Sequence, residues 1–204
     1  EETLFFALKT KRNDGHKYIP ELYARGVRNF VVTDVPEQLS HYADANFLQV
    51  GNTLKALQRL AAKHREQFQV PVVGITGSNG KTVVKEWIYQ LLSPEKVITR
   101  SPRSYNSQIG VPLSVWMMNE HTELGIFEAG ISEMGEMEAL QPIIQPTIGV
   151  LTNIGWAHQE NFSSLQDKCM EKLQLFKGCD VIIYNGDNEL ISSCVSKSLF
   201  TSRE

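Results

Sequence analysis

The chain has little that marks a secreted, membrane-bound or strongly basic protein. Its three cysteines, Cys169, Cys179 and Cys194, form no C-x-x-C pair. That spacing argues against a disulfide framework or a zinc knuckle and fits a reducing cytoplasm. No apolar run approaches the ~20 residues that a membrane-crossing helix needs, so no membrane insertion is expected. The net charge is only −3, which argues against a generic nucleic-acid binder. An Asn-Lys-x-Asp string, the guanine-reading motif of switch GTPases, is missing. So are an initiator Met and a basic segment leading into an apolar one, because the chain opens on Glu1-Glu2. It therefore reads as a fragment. No internal repeat or low-complexity tract interrupts it.

What is present is an alternation of short apolar runs and helical patterns. The first stretch predicts strands at Leu4–Leu8, Phe30–Val32 and Phe47–Val50. It predicts helices at Tyr18–Ala24 and from Asn52 to Phe68, the latter on apolar positions at helical spacing. A boundary is expected near Gln69, giving units 1–69 and 70–204. The second unit predicts strands at Val72–Thr76, Lys96–Thr99, Leu124–Glu128, Thr147–Thr152 and Val181–Tyr184. Helices are predicted at Lys81–Leu92, Val111–Met118, Gly135–Leu140 and Leu165–Phe176. The fold class is thus α/β: a small amino-terminal α/β domain, then a domain with a mostly parallel sheet flanked by helices. Ligands on such sheets bind beyond the carboxyl ends of the strands.

The polar residues of interest fall at those ends. Gly77-Ser78-Asn79-Gly80-Lys81-Thr82 joins a strand to a helix. Such a turn is a concave anion site made of backbone N–H groups and a helix N-terminus. Lys81 is placed to reach the β- and γ-phosphates of a nucleotide, and the Thr82 hydroxyl to bind Mg²⁺. The general pattern G-x-x-x-x-G-K-[ST] fails at Ile75, which leaves an incidental glycine-rich turn as the bland reading. Glu128 ends a strand, as a metal-binding carboxylate does in phosphate-loop enzymes, or as an exposed one can. His158, in the loop past Thr147–Thr152, is a metal ligand or a solvated histidine. Lys168 and Lys172 share one helix face and by themselves read as a solvated basic stripe. Asn106 and Ser107 either bind substrate or cap the helix that follows. Asp14 and His16 flank a turn or contact a ligand. No motif near the cysteines makes one a nucleophile.

Taken together, these motifs resemble the Mur ligases, ATP-dependent amide-forming enzymes of peptidoglycan synthesis. Gly77 to Thr82 resembles that family's phosphate loop, in which Asn precedes Gly-Lys-Thr and which departs from the general pattern too. Glu128-Ala129-Gly130 with Gly135-Glu136-Met137 resembles its E-x-G…G-E-[IM] segment. Thr152 to Ser164 resembles its T-N-I-x-x-A-H-L-E-x-F-G-S segment. "LFFALKTKRNDGH" (Leu4–His16) and "NSQIGVPL" (Asn106–Leu113) are similar to the branch that joins D-Ala-D-Ala to UDP-N-acetylmuramoyl-tripeptide. The tripeptide-forming branch, a folylpolyglutamate synthetase-like ligase and a non-ligating nucleotide-binding module are the other readings.

The resemblance implies two Mg²⁺ ions and ATP. Gly77, Ser78, Asn79, Gly80, Lys81 and Thr82 would hold the nucleotide. Thr82 and Glu128 would be ligands of one metal ion, and His158 of the second. Lys172, eight residues past Ser164, matches a lysine carbamylated by CO₂ that supports the metal site. Lys81, His158 and Lys172 are the implied catalytic residues, and Lys168 is expected to be dispensable. Asn185, Asp187 and Asn188 match an N-x-D-[ND] strand end of open role. Thr10, Ser163 and Gln174 depart from the family pattern. The implied chemistry is an acyl phosphate made from a substrate carboxylate, then displaced by an amine. The family's third, carboxyl-terminal domain is expected to lie outside this chain, so the fragment alone would be inactive. A cytoplasmic monomer is expected.

Overall fold

The structure is a computed structural model that describes residues 3–10, 13–156 and 161–201. The chain packs as two compact units, Glu1–Arg59 and Leu60–Glu204.

The first unit is built on three parallel strands, β1 (Leu4–Phe6), β2 (Asn29–Val32) and β3 (Asn46–Gln49), in the order β1-β2-β3. A 3₁₀ turn at Gly15–Tyr18 leads into α1 (Ile19–Ala24), with Pro20 in its first turn, where a missing N–H costs nothing. Gly26, at φ +95°, ends this segment. Ala7, Ile19, Phe30 and Val32 form the core. Phe30 stacks on Phe47 with centroids 5.2 Å apart. The stretch 35–46, which has no sequence period, holds a 3₁₀ turn at Leu39–Tyr42.

Helix α2 (Thr53–Arg65) passes from the first unit into the second. The second unit contains β4 (Val72–Thr76), α3 (Lys81–Leu92), β5 (Ile98–Arg100), α4 (Gly110–Val115), β6 (Leu124–Glu128), α5 (Glu136–Ile144), β7 (Ile148–Leu151), α6 (Leu165–Leu173), β8 (Val181–Tyr184) and α7 (Glu189–Thr201). The sheet is all parallel in the order β5-β6-β4-β7-β8. Alternate residues serve its two faces. Val73, Ile75, Leu124 and Ile126 pack against Val84 and Ile88 of α3. Val72, Phe127 and Leu151 belong to the larger core that α4, α5, α6 and α7 complete. Every residue of β4 and β6 is buried, as expected where helices cover both faces.

The expected α/β class holds. Several element limits shift by two or three residues, as where the strand expected at Lys96–Thr99 lies at Ile98–Arg100 and the helix expected at Val111–Met118 at Gly110–Val115. Helix α5 continues past Leu140 through Pro142, because Ile143 and Ile144 are drawn into the core. Helix α6 gives way to a 3₁₀ turn at Gln174–Phe176, which buries Leu175 and Phe176. Helix α7 has no counterpart in the sequence reading. Its serines lower helix propensity. Leu190, Ile191, Cys194 and Val195 nevertheless recur at helical spacing, and the last three are buried.

Candidate active site

Strand β4 delivers Thr76 to the carboxyl edge of the sheet, and the chain then turns through Gly77 and Gly80 at φ +145° and +80°. Both angles favour glycine. Gly77 is also crowded: a Cβ there would lie 1.9 Å from Thr152 Oγ1 and 3.0 Å from Asn153 N. The turn is tied to the segment after β7. Ser78 N donates to the Asn153 carbonyl (2.9 Å) and Asn79 N to Asn153 Oδ1 (2.9 Å). Thr152 Oγ1 donates to the Asn79 carbonyl (2.6 Å), and Gly155 N to Ser78 Oγ (2.9 Å). Two strand ends thus hold one loop in shape. Lys81 Nζ donates to the Gly77 carbonyl at 2.9 Å. Burial lowers the Lys81 pKa; Glu128 opposes that shift and Lys168 adds to it.

Thr82 Oγ1 donates to Glu128 Oε2 at 2.9 Å and lies 3.2 Å from Ser104 Oγ. Glu128 is fully buried at the end of β6, and its N–H donates to Ser101 Oγ at 3.2 Å. The exposed-carboxylate reading is therefore excluded for Glu128. Hydroxyl and carboxylate oxygens are the donors a hard cation such as Mg²⁺ prefers, so this set fits that ion. Among the described residues, no group of three or more His, Cys, Asp or Glu side chains could hold a metal ion. His158 lies outside the described residues.

Helix α6 is capped by Ser164, whose Oγ accepts from Asp167 N at 3.0 Å. The solvated-stripe reading of this helix is overturned: Lys168 and Lys172 are both buried. Their face is turned inward because Cys169 and Leu173, beside them, are core residues. Lys168 Nζ donates to the Gly155 carbonyl at 2.6 Å, gripping the segment that holds the glycine loop. Burial, reinforced by the charges of Lys81 and Lys168, brings the Lys172 ammonium down from 10.5 to about 7. Lys81, Lys168 and Lys172 thus sense one another across a buried site, an electropositive setting suited to anions. Glu171, on the same helix, accepts from Met137 N at 3.0 Å and so caps α5.

The remaining candidates are placed as follows. The Asn106 carbonyl accepts from Gly130 N (2.7 Å), and Ser107 Oγ accepts from Gly110 N (3.1 Å) in the first turn of α4. In the first unit, Asp14 Oδ1 accepts from His16 N (3.0 Å) and contacts His16 Nδ1 (2.6 Å). His16 Nε2 accepts from Thr33 N (3.0 Å), which assigns the ring proton to Nδ1. The His16 backbone N–H, then its ring, holds the Asp14 carboxyl below its ordinary value. Both residues line a cleft of about 380 Å³ with Lys17, Asp34 and Tyr42. Asn185 and Asn188 use their side chains on Asp187 N and Ile191 N, each at 3.0 Å, at the start of α7.

With this geometry in view, the comparisons with known proteins are decisive. The Mur ligase middle domain matches residues 75–201, and the catalytic domain of the Mur ligase family matches residues 1–65. The chain belongs to the Mur ligase family. UDP-N-acetylmuramoyl-tripeptide–D-alanyl-D-alanine ligase of Bacillus subtilis is 34% identical over 98% of this chain and 45% of its own length. The ligase of the same name from Synechocystis is 39% identical over 76% of this chain and 34% of its own length. A crystal structure of MurF ligase from Thermotoga maritima in complex with ADP superposes with a TM-score of 0.85. It is 28% identical, and the match covers 97% of this chain and 46% of that one. The chain spans less than half the length of these relatives.

In this Mur ligase chain, sequence reading alone missed Lys85, Ser101, Ser104, Thr152 and the tether from Lys168. Lys85 follows Lys81 by one helical turn, so their shared face was legible. Its burial against Glu128 was not.

Proposed function

We propose that the chain is the amino-terminal and central part of an ATP-dependent ligase that adds D-Ala-D-Ala to UDP-N-acetylmuramoyl-tripeptide. The observation that carries this is the pairing of a tied glycine loop with the Thr82–Glu128 contact, facing Lys81 and Lys172. On this reading residues 70–204 bind ATP. Residues 1–69 bind the UDP-muramoyl substrate, with Asp14 and His16 in the cleft wall. The names of the relatives favour this over the tripeptide-forming or folylpolyglutamate reading.

The residues supply charge and position. The N–H groups of Gly80, Lys81 and Thr82 at the start of α3, with the Lys81 ammonium, would hold the phosphates in line with the substrate carboxylate, which is most of what phosphoryl transfer requires; those of Ser78 and Asn79 are spent on Asn153. Thr82 and Glu128 would hold one Mg²⁺, and His158 with Lys172 the second. Bound Mg²⁺ neutralises phosphate charge and polarises the oxygens around it. Lys172, with its pKa near 7, offers a neutral amine that adds to CO₂, forming an N–C bond and releasing one proton. The resulting carbamate would put an anion where the ammonium stood, a donor that a second Mg²⁺ accepts. The carboxylate becomes an acyl phosphate, and the D-Ala-D-Ala amine displaces phosphate from it. The enzyme works in the cytoplasm as a monomer.

The test is phosphate release by the full-length protein. Release that requires both UDP-N-acetylmuramoyl-tripeptide and D-Ala-D-Ala is expected. Hydrolysis of ATP that ignores every carboxylate acceptor overturns the reading.

A further inference from the structure

Lys85 takes no part in the glycine loop, yet its side chain is fully buried. Its ammonium donates to the Ser101 carbonyl at 2.7 Å, to the Arg103 carbonyl, and to Glu128 Oε1 at 3.4 Å. Glu86 Oε1 is 3.3 Å away and is itself held by Arg100 at 2.6 Å. A buried ammonium is costly unless it is paired and hydrogen-bonded, and Lys85 has both kinds of partner. Those partners come from three places: α3 itself, the segment after β5, and the end of β6.

The segment after β5 is not relaxed. Arg103 has φ +49°, a region that residues with a Cβ seldom enter. Its carbonyl is one of the oxygens that Lys85 grips. The next residue is Ser104, whose Oγ lies 3.2 Å from Thr82 Oγ1. At the other end of the same segment, Ser101 Oγ accepts from the Glu128 N–H. One ammonium therefore ties down the Glu128 carboxylate and the short stretch that brings the Ser104 hydroxyl beside Thr82.

We propose that Lys85 is a positioning residue that presents Thr82, Ser104 and Glu128 as a preformed set of oxygens for a Mg²⁺-bound nucleotide. Lys85 acts through Glu128 and the Arg103 carbonyl and does not touch the nucleotide. The inference rests on the reading of Thr82 and Glu128 as a Mg²⁺ site.

The experiment measures the affinity of the full-length protein for a non-hydrolysable ATP analogue by calorimetry, with and without Mg²⁺. The ratio of the two affinities is the Mg²⁺ coupling. Lys85→Met is expected to lower this coupling about tenfold, as loss of a group that orients a metal ligand does, while the Mg²⁺-free affinity holds. In a Glu128→Gln background the same substitution should change the coupling by no more than about threefold, because only the route through Arg103 and Ser104 remains. Lys85→Arg keeps the buried charge and serves if Lys85→Met fails to fold. Its forked guanidinium cannot reproduce the three contacts, so a loss of about threefold is expected. Wild-type coupling in the folded Lys85 variant, or an equal loss in both backgrounds, overturns the proposal. Wild-type coupling in Glu128→Gln alone overturns the metal-site reading instead, which separates the two failures.

Discussion

Gly77 and Thr152 close the ends of two adjacent strands so tightly that a Cβ on Gly77 would lie 1.9 Å from Thr152 Oγ1. Residues just before them, Thr76 and Leu151, are paired in the sheet. The contact therefore locks the glycine-loop turn to the segment that follows β7. Gly77→Ala should cost about 1–3 kcal/mol of stability, from the positive φ and the overlap. Affinity for ADP should fall with it. Trimming the neighbour in Gly77→Ala/Thr152→Ala should restore only part, because the φ penalty remains. Urea unfolding and calorimetry would check both; wild-type stability in Gly77→Ala would contradict this account.

Lys168 and Lys172 should both matter, for different reasons. Lys172→Ala is expected to abolish ligation by the full-length protein, with partial recovery on adding short carboxylates. Lys168→Met removes the 2.6 Å bond to the Gly155 carbonyl and loosens the segment tied to Ser78. A loss of about 1.5–3 kcal/mol, typical of a hydrogen bond to a charged group, should appear in stability and nucleotide affinity. A silent Lys168→Met in both measurements would refute the tether.

The lowered Lys172 pKa also predicts a pH dependence. Folding brings this group from 10.5 to about 7. Between those values the unfolded chain binds more protons than the folded one, so stability rises with pH across that window. Lys172→Met should flatten this rise, and the difference should be on the order of a few kcal/mol between pH 7 and 10. Denaturant melts of the two proteins at several pH values would measure it. An unchanged slope in the variant would show that Lys172 titrates normally.

Arg65 makes a contrasting prediction. Its guanidinium is bonded to the carbonyls of Ile144 (2.9 Å), Gln145 (3.1 Å) and Phe68 (2.6 Å), closing the carboxyl end of α5. Arg65→Met leaves these carbonyls unpaired, at about 3 kcal/mol in sum. Nucleotide affinity should not move, since none of these atoms belongs to the loop. Calorimetry alongside urea unfolding would separate the two effects.

Local pattern carried much of the fold. Strands β4 and β6 are apolar runs closed by one polar residue, Thr76 and Glu128, β8 is apolar throughout, and α3 starts where the glycines stop, so their limits were legible residue by residue. Helix α7 escaped because four serines obscure its apolar spacing. Lys168 and Lys172 escaped for another reason. Spacing places two lysines on one face of α6 but does not say whether that face meets water or a core.

By itself the sequence determined the order of strands and helices, the glycine loop and the chemical types gathered at strand ends. These depend on neighbours in the chain: side-chain periodicity, the φ freedom of glycine and the motif strings that mark the family. Only the tertiary structure decided which of those groups meet. Thr82 and Glu128 are separated by 46 residues yet bonded at 2.9 Å, because β4 and β6 lie side by side in the sheet. Burial followed from the same packing. It gave Lys85 its partners at Glu128 and the Ser101 carbonyl, and gave Lys172 a pKa near 7. A desolvated charge takes its behaviour from whatever the fold sets against it.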